Sequence, residues 1–160
     1  MAFSGPSPRR RSERWRMRIE HEHRFDVPLA AGFEYVTNTA NWPTFWPGIV
    51  RVEPDSRWAE AGDEARIVIE LLGRQVELRM MLRRFEPGRL VEYDSTQDGL
   101  PDARHERHFE PAAGGFRYRL VVEYEPRGGL KGIYDRVLVR RGVDRALRRT
   151  IDNLERALPR

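Results

Sequence analysis

Two arginines near the C-terminus, Arg136 and Arg140, have a spacing that could place guanidinium groups inside a folded domain. At about 100° per residue, both project onto the arc that carries the apolar residues of a predicted terminal helix. Either the first half of this helix overhangs the domain, with Asp144 as a ready partner for Arg140, or it covers a cavity into which the arginines point. The apolar residues of the arc are Ile133, Leu147, Ile151, Leu154 and Leu158.

The histidines form a second set of candidate groups. His21 and His23 alternate with charged residues, so both imidazoles lie on one face of a predicted strand. This spacing suits zinc, but two ligands are too few and no in-phase carboxylate lies beside them, so no metal site is predicted. Together with His105 they could act as general acids or bases, because imidazole titrates near neutral pH. The alternative is that they are hydrogen-bonded residues of the sheet wall.

The composition predicts a single domain with no recognisable cofactor. The chain has 160 residues, of which 39% are apolar, which suits one sizeable core. It contains no cysteine, and this excludes disulfides, cysteine-ligated zinc and a thiol nucleophile. No nucleophile elbow, phosphate-binding glycine loop or dinucleotide fingerprint is present, so no cofactor is predicted. No apolar stretch is long enough for a membrane span or a secretory signal, and the default location is cytoplasmic.

The positive charge is concentrated at the N-terminus. Residues 1–18 hold six arginines and one glutamate, a net of +5 within a chain whose total is +4, so the remainder carries −1. We interpret residues 1–16 as a disordered basic leader and residues 17–160 as the folded domain. Because the folded part is nearly neutral, nucleic acid is not predicted as a partner, although a weak electrostatic contact through the leader is left open.

Hydrophobic periodicity predicts an α+β fold. Strict alternation predicts a first strand at 17–25, Pro28 opens a short helix that ends near Asn38, and a second short helix or turn follows at 41–48. A terminal helix at 130–158, with a kink or late start near Gly132 or Gly142, is the only element long enough to cover a sheet. Turn signals between the remaining strands imply antiparallel pairing, and these strands are predicted at 49–53, 64–72, 75–85, 90–96, 103–110 and 116–125.

This order of elements resembles the SRPBCC superfamily, and within it the polyketide cyclase/dehydrase branch. The resemblance covers residues 17–158. It implies the helix-grip fold of START and birch-pollen-allergen-like proteins, in which a curved antiparallel sheet of about seven strands wraps around a long C-terminal helix and encloses a cavity. The motifs that carry it are Phe25-Asp26-Val27-Pro28, Asn41-Trp42-Pro43-Thr44-Phe45-Trp46-Pro47, Phe109-Glu110-Pro111 before Gly114-Gly115, and Ile151-Asp152-Asn153-Leu154.

The resemblance implies that inward-facing side chains line this cavity. Arg107 and Tyr118 are best suited to donate hydrogen bonds to a ligand carbonyl or enolate, and the alternative for them is a cross-strand stacking contact. Trp42 and Trp46 are expected to hold the short helices over the mouth. Ser95 and Tyr124 share the inward register. The candidate cavity residues are His21, His23, Trp42, Trp46, Tyr93, His105, Arg107, Tyr118, Arg136 and Arg140.

The expected function is binding of a small, largely apolar or aromatic ligand, polyketide-like or lipid-like, in a cavity of roughly 300 Å³ or more. One alternative is an aromatase/cyclase, in which Arg107, Tyr118 or Arg140 polarises a ketone and a histidine moves the proton. A second alternative is a protein-interaction or assembly module with a filled core. The helix-grip fold supports all three functions, so the resemblance does not choose between them. A small molecule is the only predicted partner, and a homodimer is left open.

Overall fold

Seven antiparallel strands form one sheet. The computed structural model describes residues 16–160 except residue 72, so the predicted leader at 1–16 lies outside the described residues apart from Arg16. The strands are β1 (Met17–Phe25), β2 (Ile49–Val52), β3 (Glu64–Leu71), β4 (Arg74–Glu86), β5 (Leu90–Thr96), β6 (Ala103–Ala112) and β7 (Gly115–Tyr124). Their order across the sheet is β1-β7-β6-β5-β4-β3-β2, so β2 and β1 lie at opposite edges.

The helices lie in two groups, after the first strand and at the C-terminus. The first group is α1 (Leu29–Thr37), a 3-10 turn (Thr39–Asn41) and α2 (Trp42–Phe45). The second group is α3 (Leu130–Tyr134), a π-helical segment (Asp135–Val139) and α4 (Arg140–Ala157). The predicted helix-grip architecture, with two short helices and a long C-terminal helix, is confirmed. Among the described helices, none is both long and apolar enough to cross a membrane.

The inner face of the sheet follows directly from the alternation of the sequence. Side chains two apart point to the same face, so Tyr93, His105 and Arg107 face the helices together with Tyr118. Tyr93 pairs with His105 across β5 and β6, and Tyr118 pairs with Phe109 across β6 and β7. The main hydrophobic core lies between this face, α1, α2 and the second half of α4.

The short helices are fixed by close packing and by side-chain hydrogen bonds. A Cβ at Gly32 would lie 2.3 Å from the ring of Phe116, so glycine allows α1 to rest directly on β7. The Trp42 indole donates a hydrogen bond to the Val36 carbonyl at 3.0 Å, and the Asn153 amide donates to the Phe45 carbonyl at 3.1 Å. The second bond links α2 to α4.

A π-helical segment interrupts the C-terminal helix between the two glycines at which a kink was expected. The side chain of Asp135 is fully buried and accepts hydrogen bonds from the Arg127 backbone N–H at 2.7 Å and from its guanidinium group at 2.7 and 3.0 Å. The Tyr124 hydroxyl donates to the Asp135 carbonyl at 2.8 Å, and the Arg140 N–H reaches the same carbonyl in an i→i−5 bond. These contacts hold a wider turn there than the α-helix has.

Candidate ligand-binding cavity

Arg107 is the central polar group of the inner face. It lies in the middle of β6 and is 7% exposed. Its guanidinium donates hydrogen bonds to the hydroxyl oxygens of Tyr118 at 3.0 Å and Tyr93 at 3.1 Å, and its Cζ lies 4.8 Å from the centre of the Trp46 ring. Within 16–71 and 73–160, no carboxylate oxygen lies within 4.0 Å of it. A full positive charge is therefore buried against phenols and an indole, with no anionic partner among the residues that the structure describes.

Burial and the neighbouring phenols have opposing effects on Arg107. Burial acts to lower its pKa, but the charge interactions and hydrogen bonds with Tyr118 and Tyr93 act to raise it, and its pKa stays above the usual value. Burial raises the pKa of Tyr118 to about 12, although the nearby Arg107 acts in the opposite direction. Arg107 is thus a cation and Tyr118 a neutral phenol across the physiological pH range.

His105 provides an uncharged polar group beside Arg107. Its ring stacks on Tyr93 with centroids 4.5 Å apart and an angle of 3° between the planes, and its Nε2 lies 2.9 Å from the Ser95 Oγ. Burial and the positive charge of Arg107 lower its pKa to about 3, against a small opposing effect of Asp94. The imidazole is therefore neutral near pH 7, with one nitrogen as donor and the other as acceptor.

A cavity of about 150 Å³ lies between these groups and the C-terminal helix. It is partly open to solvent, and its walls are predominantly apolar. The volume is about half of the expected minimum, and is comparable to a cavity that holds a single benzene ring. Its lining includes Trp46, Leu78, Tyr93, Ser95, His105, Arg107, Leu120, Val122 and Tyr124 on the sheet side, Leu100 and Pro101 in the β5–β6 loop, and Val139, Gly142, Val143, Ala146 and Leu147 in the helix.

Four of the predicted cavity residues line this space, namely Trp46, Tyr93, His105 and Arg107. Tyr118 is fully buried behind Arg107 and reaches the site through their hydrogen bond. Trp42 is also buried, beneath Trp46 and Trp58, with ring centroids 5.6 and 5.3 Å away. The three tryptophans form one packed group beside the cavity.

His21 and His23 lie outside the lining, at the contact between β1 and α4. His21 Nε2 is 2.7 Å from the Asp144 carboxylate, and His23 Nε2 is 3.3 Å from Glu155 without the alignment of a hydrogen bond. Both carboxylates belong to α4. They are far from the histidines in the sequence, so the residues next to the histidines on the strand could not predict these contacts. In the part of the chain that the structure describes, no three His, Asp or Glu side chains are grouped closely enough to hold a metal ion.

Arg136 and Arg140 are exposed and do not line the cavity. The observed arrangement combines parts of the two that were considered, because the arginines reach solvent while other residues of the same helix cover the cavity. The π-helical segment at 135–139 rotates Arg136 away from its projected direction, because it advances the chain by a smaller angle per residue. Arg140 is the first residue of α4 and keeps its helical phase with Leu147. Its exposure has a different reason, because the first turns of α4 face the cavity with Gly142 and Val143. Asp144, the expected partner of Arg140, instead contacts His21 at 2.7 Å and Arg148 at 3.3 Å.

The helix side of the cavity and the β5–β6 loop were not identified from the sequence. Gly142 and Ala146 stand one turn apart on the face of α4 that covers the cavity. Small residues at i and i+4 on the buried face of a helix leave space against a sheet, and this spacing was the available signal. The sequence around Leu100 and Pro101 gives no comparable signal. These residues lie in a loop, and no periodic pattern predicts which side chains of a loop face a cavity.

A family model described as polyketide cyclase / dehydrase and lipid transport matches residues 16–159. No curated protein sequence matches the chain. Among solved structures, the Zhui aromatase/cyclase from Streptomyces sp. R1128 is similar, with a TM-score of 0.76, 14% identity, and coverage of 88% of this chain and 92% of that chain.

Two further solved structures share the fold. A protein from Thermus thermophilus has a TM-score of 0.73 and 17% identity, and the match covers 88% of this chain and 95% of that one. A START superfamily protein from Mycobacterium smegmatis has a TM-score of 0.69 and 12% identity, with coverage of 88% and 96%. At these identities the likeness establishes the fold alone.

Proposed function

The chain belongs to the family of polyketide cyclases, dehydrases and lipid transport proteins, and on this premise we propose that its cavity binds a small apolar or aromatic molecule with one acidic or carbonyl oxygen. The observation that carries the proposal is Arg107, a buried cation at an apolar cavity wall with only phenol oxygens as hydrogen-bond partners among the described side chains. A ligand oxygen would supply the partner that this charge lacks.

The hydrogen-bonding capacity of the site supports an oxygen ligand. A guanidinium has five N–H donors, and Arg107 uses one toward each of Tyr93 and Tyr118. Each phenol oxygen accepts from Arg107, which leaves its own O–H free to donate. The site therefore offers several donors beside predominantly apolar walls, where interactions with an anion are strengthened.

The size of the cavity limits the ligand. A volume of about 150 Å³ accommodates one aromatic ring or a short aliphatic chain, and the open side lets a longer molecule extend into solvent. An entire polyketide chain would require the helix and sheet to separate. We therefore favour a compact aromatic or aliphatic acid, or one end of a longer molecule.

An aromatase/cyclase is the second candidate function. Arg107 with Tyr93 could polarise a ketone at the cavity wall. His105 is a weak candidate for the base, because burial and Arg107 lower its pKa to about 3, far below the value that suits proton abstraction at neutral pH. The cyclase would then act mainly by holding the substrate in a folded conformation. Tight binding of model polyketide thioesters without turnover would exclude it.

A filled-core interaction module has mixed support. Arg136 and Arg140 are exposed, as that alternative requires. The helix–sheet interface is not filled, however, since a cavity remains beside Arg107.

The test is calorimetric titration with 2-naphthoic acid and with 2-naphthamide, which differ in charge but little in shape. In both, the ring that carries the polar group fits the cavity and the second ring extends toward its open side. We expect the acid to bind more tightly, and Arg107→Met to weaken its binding at least about tenfold while affecting the amide less. Arg57→Met, at an exposed arginine in the β2–β3 loop, is the matched control. Failure of both probes to bind would contradict the proposal. If both probes bound with the same affinity and Arg107→Met did not change it, the cation would have no role in binding.

A further inference from the structure

The first half of the C-terminal helix exposes large apolar side chains. In the described part of the chain, five large apolar residues are exposed, and four of them lie in one stretch of nine residues in this helix. Leu130 is 85% exposed and Ile133 60%, with Val137 and Leu138 nearly half exposed. Exposed aliphatic residues scattered singly need no explanation, but a cluster on one short segment indicates an interaction surface.

The same segment carries unpaired positive charge. Its two carboxylates are engaged elsewhere, because Asp135 is buried against Arg127 and Asp144 contacts His21 and Arg148. None of the exposed cations of the segment lies within 4.0 Å of a carboxylate oxygen of residues 16–71 or 73–160. These cations are Lys131, Arg136, Arg140, Arg141 and Arg145. We call them, together with Leu130, Ile133, Val137 and Leu138, the basic helix face.

We propose that the basic helix face binds the surface of an anionic lipid bilayer. A helix that presents aliphatic side chains between lysine and arginine residues is suited to lie in the membrane interface, with the aliphatic groups among the acyl chains and the cations at the phosphates. Each cation near such a surface contributes roughly a fivefold gain in binding. The charge of the face complements the anionic headgroups.

A lipid surface suits the basic helix face better than an acidic protein does. Leu130, Ile133 and Val137 protrude from the helix. The depression beside Val137 is shallow and is otherwise lined by charged residues, namely Arg136, Arg140, Arg141 and Asp144. Protein partners are held by apolar anchors that fill complementary pockets. Fluid acyl chains need no such complementarity, since they adapt to protruding side chains.

The basic helix face also adjoins the cavity. Leu138 belongs to the face and lines the cavity, together with its neighbour Val139. An apolar ligand could therefore pass between a bilayer and the cavity with little exposure to water. The proposal goes beyond the proposed ligand binding and does not depend on it, because vesicle binding can be measured without a ligand.

The experiment is co-sedimentation of the full chain with vesicles of phosphatidylcholine and of phosphatidylcholine containing roughly one quarter phosphatidylglycerol, which provides an anionic surface. We expect binding to the anionic vesicles only, with a marked decrease at high salt. The double variant Ile133→Asp/Val137→Asp should weaken partitioning at least about tenfold. The triple variant Arg136→Gln/Arg140→Gln/Arg141→Gln should weaken it by roughly fivefold for each charge.

The controls separate the basic helix face from other surfaces. Val50→Asp replaces the fifth exposed apolar residue, and Arg57→Gln removes an exposed cation in a loop; both should bind like the wild type. The six arginines of residues 1–18 are unchanged in every variant, and thermal unfolding checks that each variant is folded.

Equal vesicle binding by all variants would assign the effect to residues outside the basic helix face and overturn the proposal. Absence of binding by the wild type would also overturn it and would favour an acidic protein as the occupant.

Discussion

At the scale of single residues, Arg107 combines burial with hydrogen bonds to neutral oxygens. Its partners, Tyr93 and Tyr118, are 2% and 0% exposed, so water has little access to compensate the charge. A buried ion usually needs an opposite charge or several hydrogen bonds to offset its desolvation. The two phenols and the Trp46 ring stabilise the guanidinium without neutralising it, which leaves a positive potential in the cavity.

The pKa of His105 predicts a pH-dependent stability. Burial and Arg107 lower the pKa of this imidazole to about 3 from 6.5 in the unfolded chain, so the unfolded state binds the proton more readily. The contribution of the neutral imidazole to the free energy of unfolding is complete above pH 6.5. It is lost as the pH falls toward the pKa of His105 in the folded protein. The wild type should lose more stability than His105→Gln between pH 7 and about 4.5, measured by urea unfolding of both proteins.

Because the carboxylates of the two proteins are the same, their titration cancels in this comparison. An identical pH dependence of unfolding in the wild type and His105→Gln would contradict the assignment of a neutral, desolvated imidazole.

At the scale of elements, the segment before α4 is held by one buried carboxylate. Asp135 accepts three hydrogen bonds from Arg127 through its side chain, and its carbonyl accepts another from Tyr124. A Cβ at Gly132 would lie 2.2 Å from the Arg127 carbonyl, so the first turn of the helix packs directly on the preceding loop. The basic helix face is therefore presented on an anchored segment.

Removing this carboxylate should loosen the first half of the helix. We expect Asp135→Ala to lower the free energy of unfolding by about 2 kcal/mol, because three bonds to a charged, partly exposed Arg127 are lost. Hydrogen exchange should increase at residues 130–139 and remain unchanged in β6 and β7. Asp152→Ala, at an exposed aspartate of α4, is the control. A uniform increase in exchange across the domain would argue against a local anchor.

Strands and helices differ in how far the sequence predicts their inward faces. The period of two kept its phase along β5, β6 and β7, so Tyr93, His105 and Arg107 were assigned correctly to the inner face. The helix was projected with one angle over its whole length, and one π-helical turn displaced Arg136. The projection also missed that the first turns of α4 face the cavity with Gly142 and Val143 and not with Arg140. Asp135 in the π-helical turn contacts Arg127, eight positions away, and periodicity does not contain such a contact.

At the scale of the whole molecule, the cavity is a property of the fit between α4 and the sheet. The resemblance predicted that a cavity exists, and the inward register predicted four of its lining residues. Neither predicted the volume of the cavity. The volume depends on which helix residues are small, and Gly142 and Ala146 lie where larger side chains would fill the space. The small residues at these positions also weaken the packing of the helix, since the apolar side chains around an unfilled space lose van der Waals contacts.

Filling this space should raise stability and weaken ligand binding together. A Cβ at Gly142 would meet no atom within 4 Å, and Gly142 lines the cavity, so we expect the side chain of Gly142→Leu to extend into this space. Replacing a helical glycine by alanine stabilises by about 1 kcal/mol, and the leucine should add to this through apolar contacts. The affinity for 2-naphthoic acid should fall at least about tenfold, because ligand and leucine compete for the same volume.

Gly142→Ala separates the two effects, because it restores helix propensity while occupying little of the space. It should gain stability and retain most of the affinity, as measured by thermal unfolding and calorimetric titration of the three proteins. A Gly142→Leu protein that is stabilised yet binds 2-naphthoic acid like the wild type would place the ligand elsewhere. The combination of lower stability and open volume in the wild type is what a binding cavity requires, since a site that must admit a ligand cannot also be packed to full density.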